Sequence, residues 1–152
     1  MNKTACEIPS STTPSEKIDQ LLRDCKRIAI VGISPKESRD SNRVGRYLLE
    51  HGYDVIPVNP GQKTILGRPC YKDLLHIPFS VDMADLFLNP IRIPPFVDQA
   101  IEVGVRAVWM QIGVVHNEAA QKASENGIDV IMDRCIMKEH QRAAQALGPF
   151  CG

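Results

Sequence analysis

RIAIVGISPKESRDSNRVG, residues Arg27–Gly45, runs from strand to turn to helix without a break. Ile28-Ala29-Ile30-Val31 is an apolar, largely β-branched run, as in a strand buried on both faces of a parallel sheet. Gly32 ends the run, and a polar loop with Ser34, Lys36, Arg39, Ser41 and Arg43 follows. Val44, Tyr47 and Leu48 then recur at helical spacing. Strand, glycine turn and helix form the opening unit of a dinucleotide-binding α/β domain, in which a phosphate rests on the helix N-terminus. Ser34 stands where the usual G-x-G-x-x-G pattern has its second glycine, with Lys36, Arg39 and Arg43 close behind. A hydroxyl and three cations suit a ligand with more phosphate than a plain pyrophosphate carries. Charged loop residues are often merely solvated, and Glu37 and Asp40 offer local counter-charge. It is the position between strand and helix that favours an anion.

The pattern continues in both directions. Ser15, followed by Ile18, Leu21 and Leu22, reads as the cap of a short amphipathic helix. Residues 42–51 form the first crossover helix, with Gly52 just past its end, and residues 53–58 the second strand. Pro57 lies inside that strand and lacks a ladder donor, so a bulge or one-sided pairing is expected there. A loop to about Arg68, a short helix over 71–75 and a third strand over 82–88 follow. Then come a helix over 93–103, a strand over 105–109, a helix over 118–126 capped by Asn117, a strand over 128–132 and a closing helix over 137–146. Five strands alternating with helices predict a Rossmann-like, doubly wound parallel sheet with helices on both faces and strand order 3-2-1-4-5. The ligand crevice then lies above strands one and four. Residues 1–14 are expected to be a mobile tail, 15–146 a single domain and 147–152 a short C-terminal tail.

Eighteen basic residues balance eighteen acidic ones, which argues against a general nucleic-acid or membrane-surface binder, so any anion site has to be local. No apolar stretch approaches membrane-spanning length. The five cysteines are scattered without a C-x-x-C pair and the four histidines lack ligand spacing, so neither a disulfide framework nor a metal site is expected. A reducing cytoplasm fits best.

At the end of strand two, where NAD-binding folds place an acid for the ribose hydroxyls, the chain has Asn59-Pro60. A neutral amide tolerates a phosphorylated ribose, which points to NADP or coenzyme A; an ordinary Asn-Pro turn accounts for the same residues. Gln111 and Gly113 follow strand four, where Trp109 reads as core, and amides there can reach a nucleotide. Cys135 beside Arg134 reads as a structural thiol, with a Cys135–His116 nucleophilic pair as the alternative.

Taken in order, these residues resemble the small stand-alone coenzyme A-binding proteins, which are similar to the nucleotide-binding domain of the succinyl-CoA synthetase α subunit. The resemblance runs from about Arg27 to Arg142. It rests on Val31-Gly32-Ile33-Ser34 with Lys36, Arg39 and Ser41, on Gly52 through Pro60, and on Ile65-Leu66-Gly67. Further along it rests on Trp109-Met110-Gln111-Ile112-Gly113 and Asp133-Arg134-Cys135. It implies a site for the 3′-phosphorylated ADP part of coenzyme A or a short acyl-CoA. Gly32, Ile33 and Ser34 would cradle the pyrophosphate, and Lys36 and Arg39 would contact phosphate. Asn59 and Pro60 would flank the adenosine, with Gln111 and Gly113 as the floor. One departure is Leu88, where the family usually has arginine after Asp85-Leu86-Phe87; Arg92 is a replacement in reach of sequence. The resulting expectation is a non-catalytic carrier, sensor or protective module. Its rivals are an NADP-dependent reductase, a Cys135-based thiol-disulfide enzyme acting on coenzyme A, and a ligand-free interaction protein.

Overall fold

The computed structural model describes residues 8–9 and 12–147; most of the expected N-terminal tail and residues 148–152 lie outside the described residues. Within that span, Thr13 Oγ1 donates to the Val130 carbonyl at 2.8 Å.

The apolar runs form five parallel strands: β1 (Arg27–Val31), β2 (Asp54–Val58), β5 (Met83–Leu86), β6 (Ala107–Met110) and β7 (Asp129–Ile131). A two-stranded hairpin, β3 (Thr64–Ile65) with β4 (Arg68–Pro69), interrupts the connection from β2 to β5. Helices α1 (Ser15–Asp24), α2 (Asp40–Glu50) and α5 (Ile136–Leu147) pack on one face, and α3 (Ile93–Val103) and α4 (Asn117–Glu125) on the other. Two apolar cores result. Ile18, Leu22, Ile30, Leu48 and Trp109 lie in one, and Val31, Leu86, Val97, Ala100 and Ala123 in the other. Burial on both sides is what the uninterrupted apolar strands require.

Fold class, strand number, parallel pairing and two-sided helix cover are as expected, but the strand order differs. β1 pairs with β2 on one side and with β5 on the other, so the sheet runs β2-β1-β5-β6-β7. Counting its five strands in chain order gives 2-1-3-4-5. The physical reason is Pro57. The Pro57 carbonyl faces outward and accepts from Tyr71 N at 3.0 Å, while Asn59 N donates to Tyr71 O at 2.9 Å. The missing proline donor lies along that same outer edge, so β2 cannot be an interior strand there. The third strand goes to the free side of β1 instead. There the Asp82 carboxylate accepts from the amides of Lys26 and Arg27 at 2.8 and 2.9 Å. The winding therefore reverses between β1 and β5, and the crevice lies above those strands rather than above the first and fourth.

Two helix starts also differ. Pro14, not Ser15, precedes α1, and its carbonyl takes the Lys17 and Ile18 amides. His116, not Asn117, caps α4, its Nδ1 accepting from Ala119 N at 3.1 Å. The helix expected over 71–75 is a 3₁₀ turn, Leu74–His76, capped by Asp73.

Candidate functional site

Gly32 leaves β1 with φ +84°, and its amide donates to Val58 O at 2.9 Å. A Cβ added there would lie 2.3 Å from the carbonyl oxygen of Phe87, which follows β5. Only glycine lets the two strand ends approach this closely. Above them opens a cleft of about 710 Å³.

The next loop is held from below. Ser41 and Asn42, both buried on the first turn of α2, fasten it: the Ser41 hydroxyl accepts from Ser34 N and the Asn42 amide donates to Ser34 O, each at 2.9 Å. Ser34 Oγ accepts from Lys36 N at 3.1 Å. No side-chain hydrogen bond caps α2 at Arg39, so its first amides remain available at the cleft wall. Arg39 and Arg43 stand beside them, Arg43 paired with Asp40.

Of the expected residues, Gly32, Ile33, Ser34, Arg39, Ser41, Asn59 and Gln111 come together around this cleft. Lys36, Pro60 and Gly113 are exposed and stand outside its lining. Asn59 uses both ends of its amide internally: Nδ2 donates to Ile33 O at 2.9 Å and Oδ1 accepts from Gly61 N at 2.8 Å. It therefore clasps the β2 end to the loop leaving β1. The Gly113 amide donates to Asp133 Oδ1 at 2.8 Å on the far side of its turn, and its neighbours Ile112 and Val114 line the cleft instead. Leu88 is buried against Gly32 and lines the wall; Arg92 does not.

Sequence reasoning missed Lys138 and Met137, which enter the wall from the first turn of α5. A second helix N-terminus with a cation thus borders the same cleft as the α2 loop. Cys135, just before α5, lines the same wall, and the neighbouring Arg134 reaches Glu139 at 3.5 Å. His116 lies elsewhere, in the groove between α3 and α4, so the Cys135–His116 pair is not formed. Gln111 is buried, and its Nε2 donates to Asp85 Oδ1. Burial pushes the Asp85 carboxyl up to about 8, the Gln111 bond opposing the rise. Among the described residues, no group of three or more His, Cys, Asp or Glu is arranged to hold a metal ion, and no helix is long and apolar enough to cross a membrane.

The chain resembles several known proteins over this same region. An uncharacterized protein of Bacillus subtilis, YneT, is 35% identical over 124 residues, spanning 82% of this chain and 92% of that one. A hypothetical protein of Pyrococcus horikoshii of known structure superposes with a TM-score of 0.85 at 43% identity, covering 94% of this chain and 99% of the other. The ADP-forming acetate–CoA ligase I of Archaeoglobus fulgidus is 26% identical over 121 residues, 73% of this chain but 18% of that enzyme. A family model described as a CoA binding domain matches residues 26–141, from the start of β1 into α5. With the glycine turn, the uncapped α2 and the cleft all inside that match, the chain belongs to the CoA binding domain family.

Proposed function

We propose that the protein binds coenzyme A, free or carrying a short acyl group, through the 3′-phosphorylated ADP half of the cofactor, and holds it without turnover. The observation that supports this most is the α2 N-terminus, left without a side-chain cap and flanked by Arg39 and Arg43, directly behind the glycine turn at the strand crossing. That donor set fits a polyphosphorylated ligand: fixed amides and planar cations bind phosphate oxygens without reorganising. At Gly32 the missing Cβ lets the β5 end close in from beside, which fixes the turn under the cleft.

In this reading Gly32, Ile33 and Ser34 cradle the pyrophosphate and Arg39 pairs with phosphate. Lys36 adds charge from the rim, and Ser41 holds the loop in shape. Asn59 borders the adenosine at the β2 end, with Pro60 on the rim beside it, and a neutral amide there does not repel a phosphorylated ribose. Gln111, Ile112 and Val114 form the floor, and Lys138 supplies a cation from the start of α5. The wall offers amides, cations and apolar side chains, which are binding groups. Cys25, Cys70 and Cys135 are free thiols, which suits a reducing compartment, and we place the protein in the cytoplasm.

The test is a melting screen with coenzyme A, acetyl-CoA, NAD, NADP and ATP. A ligand at a hundred times its Kd stabilises by about 2.7 kcal/mol, so coenzyme A and acetyl-CoA should raise the Tm and the dinucleotides should not. A shift with NADP alone contradicts the reading. Cys135 in the wall favours a second reading, thiol exchange, in which its thiolate attacks a coenzyme A disulfide, forms a mixed disulfide and releases the other thiolate. Cys135→Ser should then abolish the exchange and spare binding; exchange that survives the substitution removes this reading.

A further inference from the structure

Asp85 sits in the middle of β5, in register with Ile30 of β1 and Trp109 of β6, and is fully buried. Ile30, Ile33, Val44, Trp109 and Ile136 make up the apolar core on its side of the sheet. Its Oδ1 accepts from Gln111, and its Oδ2 has no hydrogen-bond partner among the described residues. The titratable groups of the covering elements that have recorded partners are engaged away from Asp85: Arg46 of α2 donates to Asn42 and the Glu37 carbonyl, and Glu139 of α5 pairs with Arg134 and Arg142. Tyr47 of α2 bonds His140 of α5 at 2.7 Å, Tyr53 donates to Leu22 O, and Arg43 pairs with Asp40. Cys25 is buried behind α1, and Cys135 and Lys138 belong to the cleft wall. Among the described residues no cation is paired with the carboxyl.

An unpaired carboxylate is an expensive side chain for this place, where leucine would pack without penalty. Burial raises the proton affinity of this carboxyl well above that of an exposed aspartate, while the Gln111 Nε2–H bond seen here is the one that suits its charged form. What distinguishes an acid here from an apolar residue is its link to Gln111, and Gln111 lines the cleft. We propose that Asp85 is a positioning residue that couples a proton to cofactor binding by setting which end of the Gln111 amide faces the cleft. The inference rests on the coenzyme A reading of that cleft.

A carboxylate can only accept, so it draws the Gln111 NH₂ inward and leaves the amide carbonyl facing the ligand. A carboxylic acid can donate its O–H to that carbonyl. The amide then turns about its terminal torsion, exchanging oxygen and nitrogen in the same space, and presents NH₂ to the cleft. Coenzyme A carries phosphoryl and amide oxygens, which need donors. The cofactor therefore selects the acid form, and by reciprocity its binding raises the proton affinity of Asp85. Above the carboxyl's own pKa, binding takes up a proton.

The experiment is calorimetric titration of the full chain with acetyl-CoA, which has no free thiol, from pH 7 to 9.5, in buffers of different ionisation heat. The wild-type protein should lose about tenfold in affinity over that range and take up a proton on binding at its upper end. Asp85→Asn should bind with an affinity that does not change with pH. Every other side chain is common to the two proteins, so the comparison isolates Asp85. Equal pH slopes in the two proteins overturn the inference and leave the coenzyme A reading standing. No acetyl-CoA binding at any pH overturns both. Infrared spectroscopy of the wild-type protein provides a readout independent of the variant's folding. The carbonyl stretch of a buried protonated acid should be present at pH 7 and should strengthen on adding acetyl-CoA at pH 9; its absence overturns the inference.

Discussion

Replacing Gly32 by alanine tests the packing that makes the cleft. Two penalties add at this position. The first is conformational: φ is +84°, and a left-handed backbone costs a residue with a Cβ about 1–2 kcal/mol. The second is steric. The new Cβ would stand 2.3 Å from Phe87 O and 3.1 Å from Leu88 Cδ2. Phe87 cannot retreat, because its amide is bonded to Val31 O at 2.9 Å within the β1–β5 pairing. Overpacking of this kind costs about 1–3 kcal/mol, so Gly32→Ala should destabilise by about 2–5 kcal/mol in all. Gly113→Ala is the control. Its φ is +81°, yet nothing lies within 4 Å of an added Cβ, so it should cost only the conformational 1–2 kcal/mol or so. Urea unfolding followed by circular dichroism, with equal m values, gives both numbers. If Gly32→Ala costs no more than Gly113→Ala, the Phe87 carbonyl does not press on Gly32 and the account of the strand crossing is wrong.

Arg39→Ala should weaken coenzyme A binding by about 1.5–3 kcal/mol, as loss of a charge-assisted contact does, and the difference should shrink at high salt. Lys36→Ala, on the exposed rim, should cost less than Arg39→Ala in the same titrations, and the reverse order would move the phosphate to the rim. Asp85 predicts a pH dependence of stability with a definite sign. Its carboxyl is raised from 3.8 to about 8 in the folded protein, so the native state keeps a proton that the unfolded chain has released. Stability from this group is therefore present below about pH 4 and lost as pH rises to about 8, by an amount on the order of 5 kcal/mol at most. Asp85→Asn should flatten that decline in denaturant unfolding measured from pH 5 to 8.5, and an unchanged slope would show that Asp85 is ionised in the fold.

Much of the architecture could be read from the chain because parallel strands covered on both faces leave an unmistakable apolar run. Ile28 to Val31 and Ala107 to Met110 are such runs, and both are fully buried apart from their flanks. The strand order differs from the expected one although its signal is in the chain: Pro57 marks β2 as an edge, which is incompatible with a third strand outside it. The glycine turn, Ser34, Arg39, Asn59 and Gln111 were found because each follows a strand at its carboxyl end. Lys138 was not, since its place depends on β7 lying beside β6 and on α5 turning back across the sheet, which no local pattern states. Gly113 lies outside the cleft: a turn has two sides, and spacing does not say which one faces inward. Asp85 carries a usable signal, a lone acid inside a strand buried on both faces, but its contact with Gln111 arises only from the pairing of β5 with β6.

The central claim is that the cleft above β1 and β5 holds the 3′-phosphorylated ADP portion of coenzyme A. Isothermal titration of the wild-type protein with coenzyme A, and then with the form lacking the 3′-phosphate, tests it most directly. The account predicts saturable one-to-one binding of coenzyme A and clearly weaker binding of the dephosphorylated form. Equal affinity for the two, or no binding of either, would contradict it.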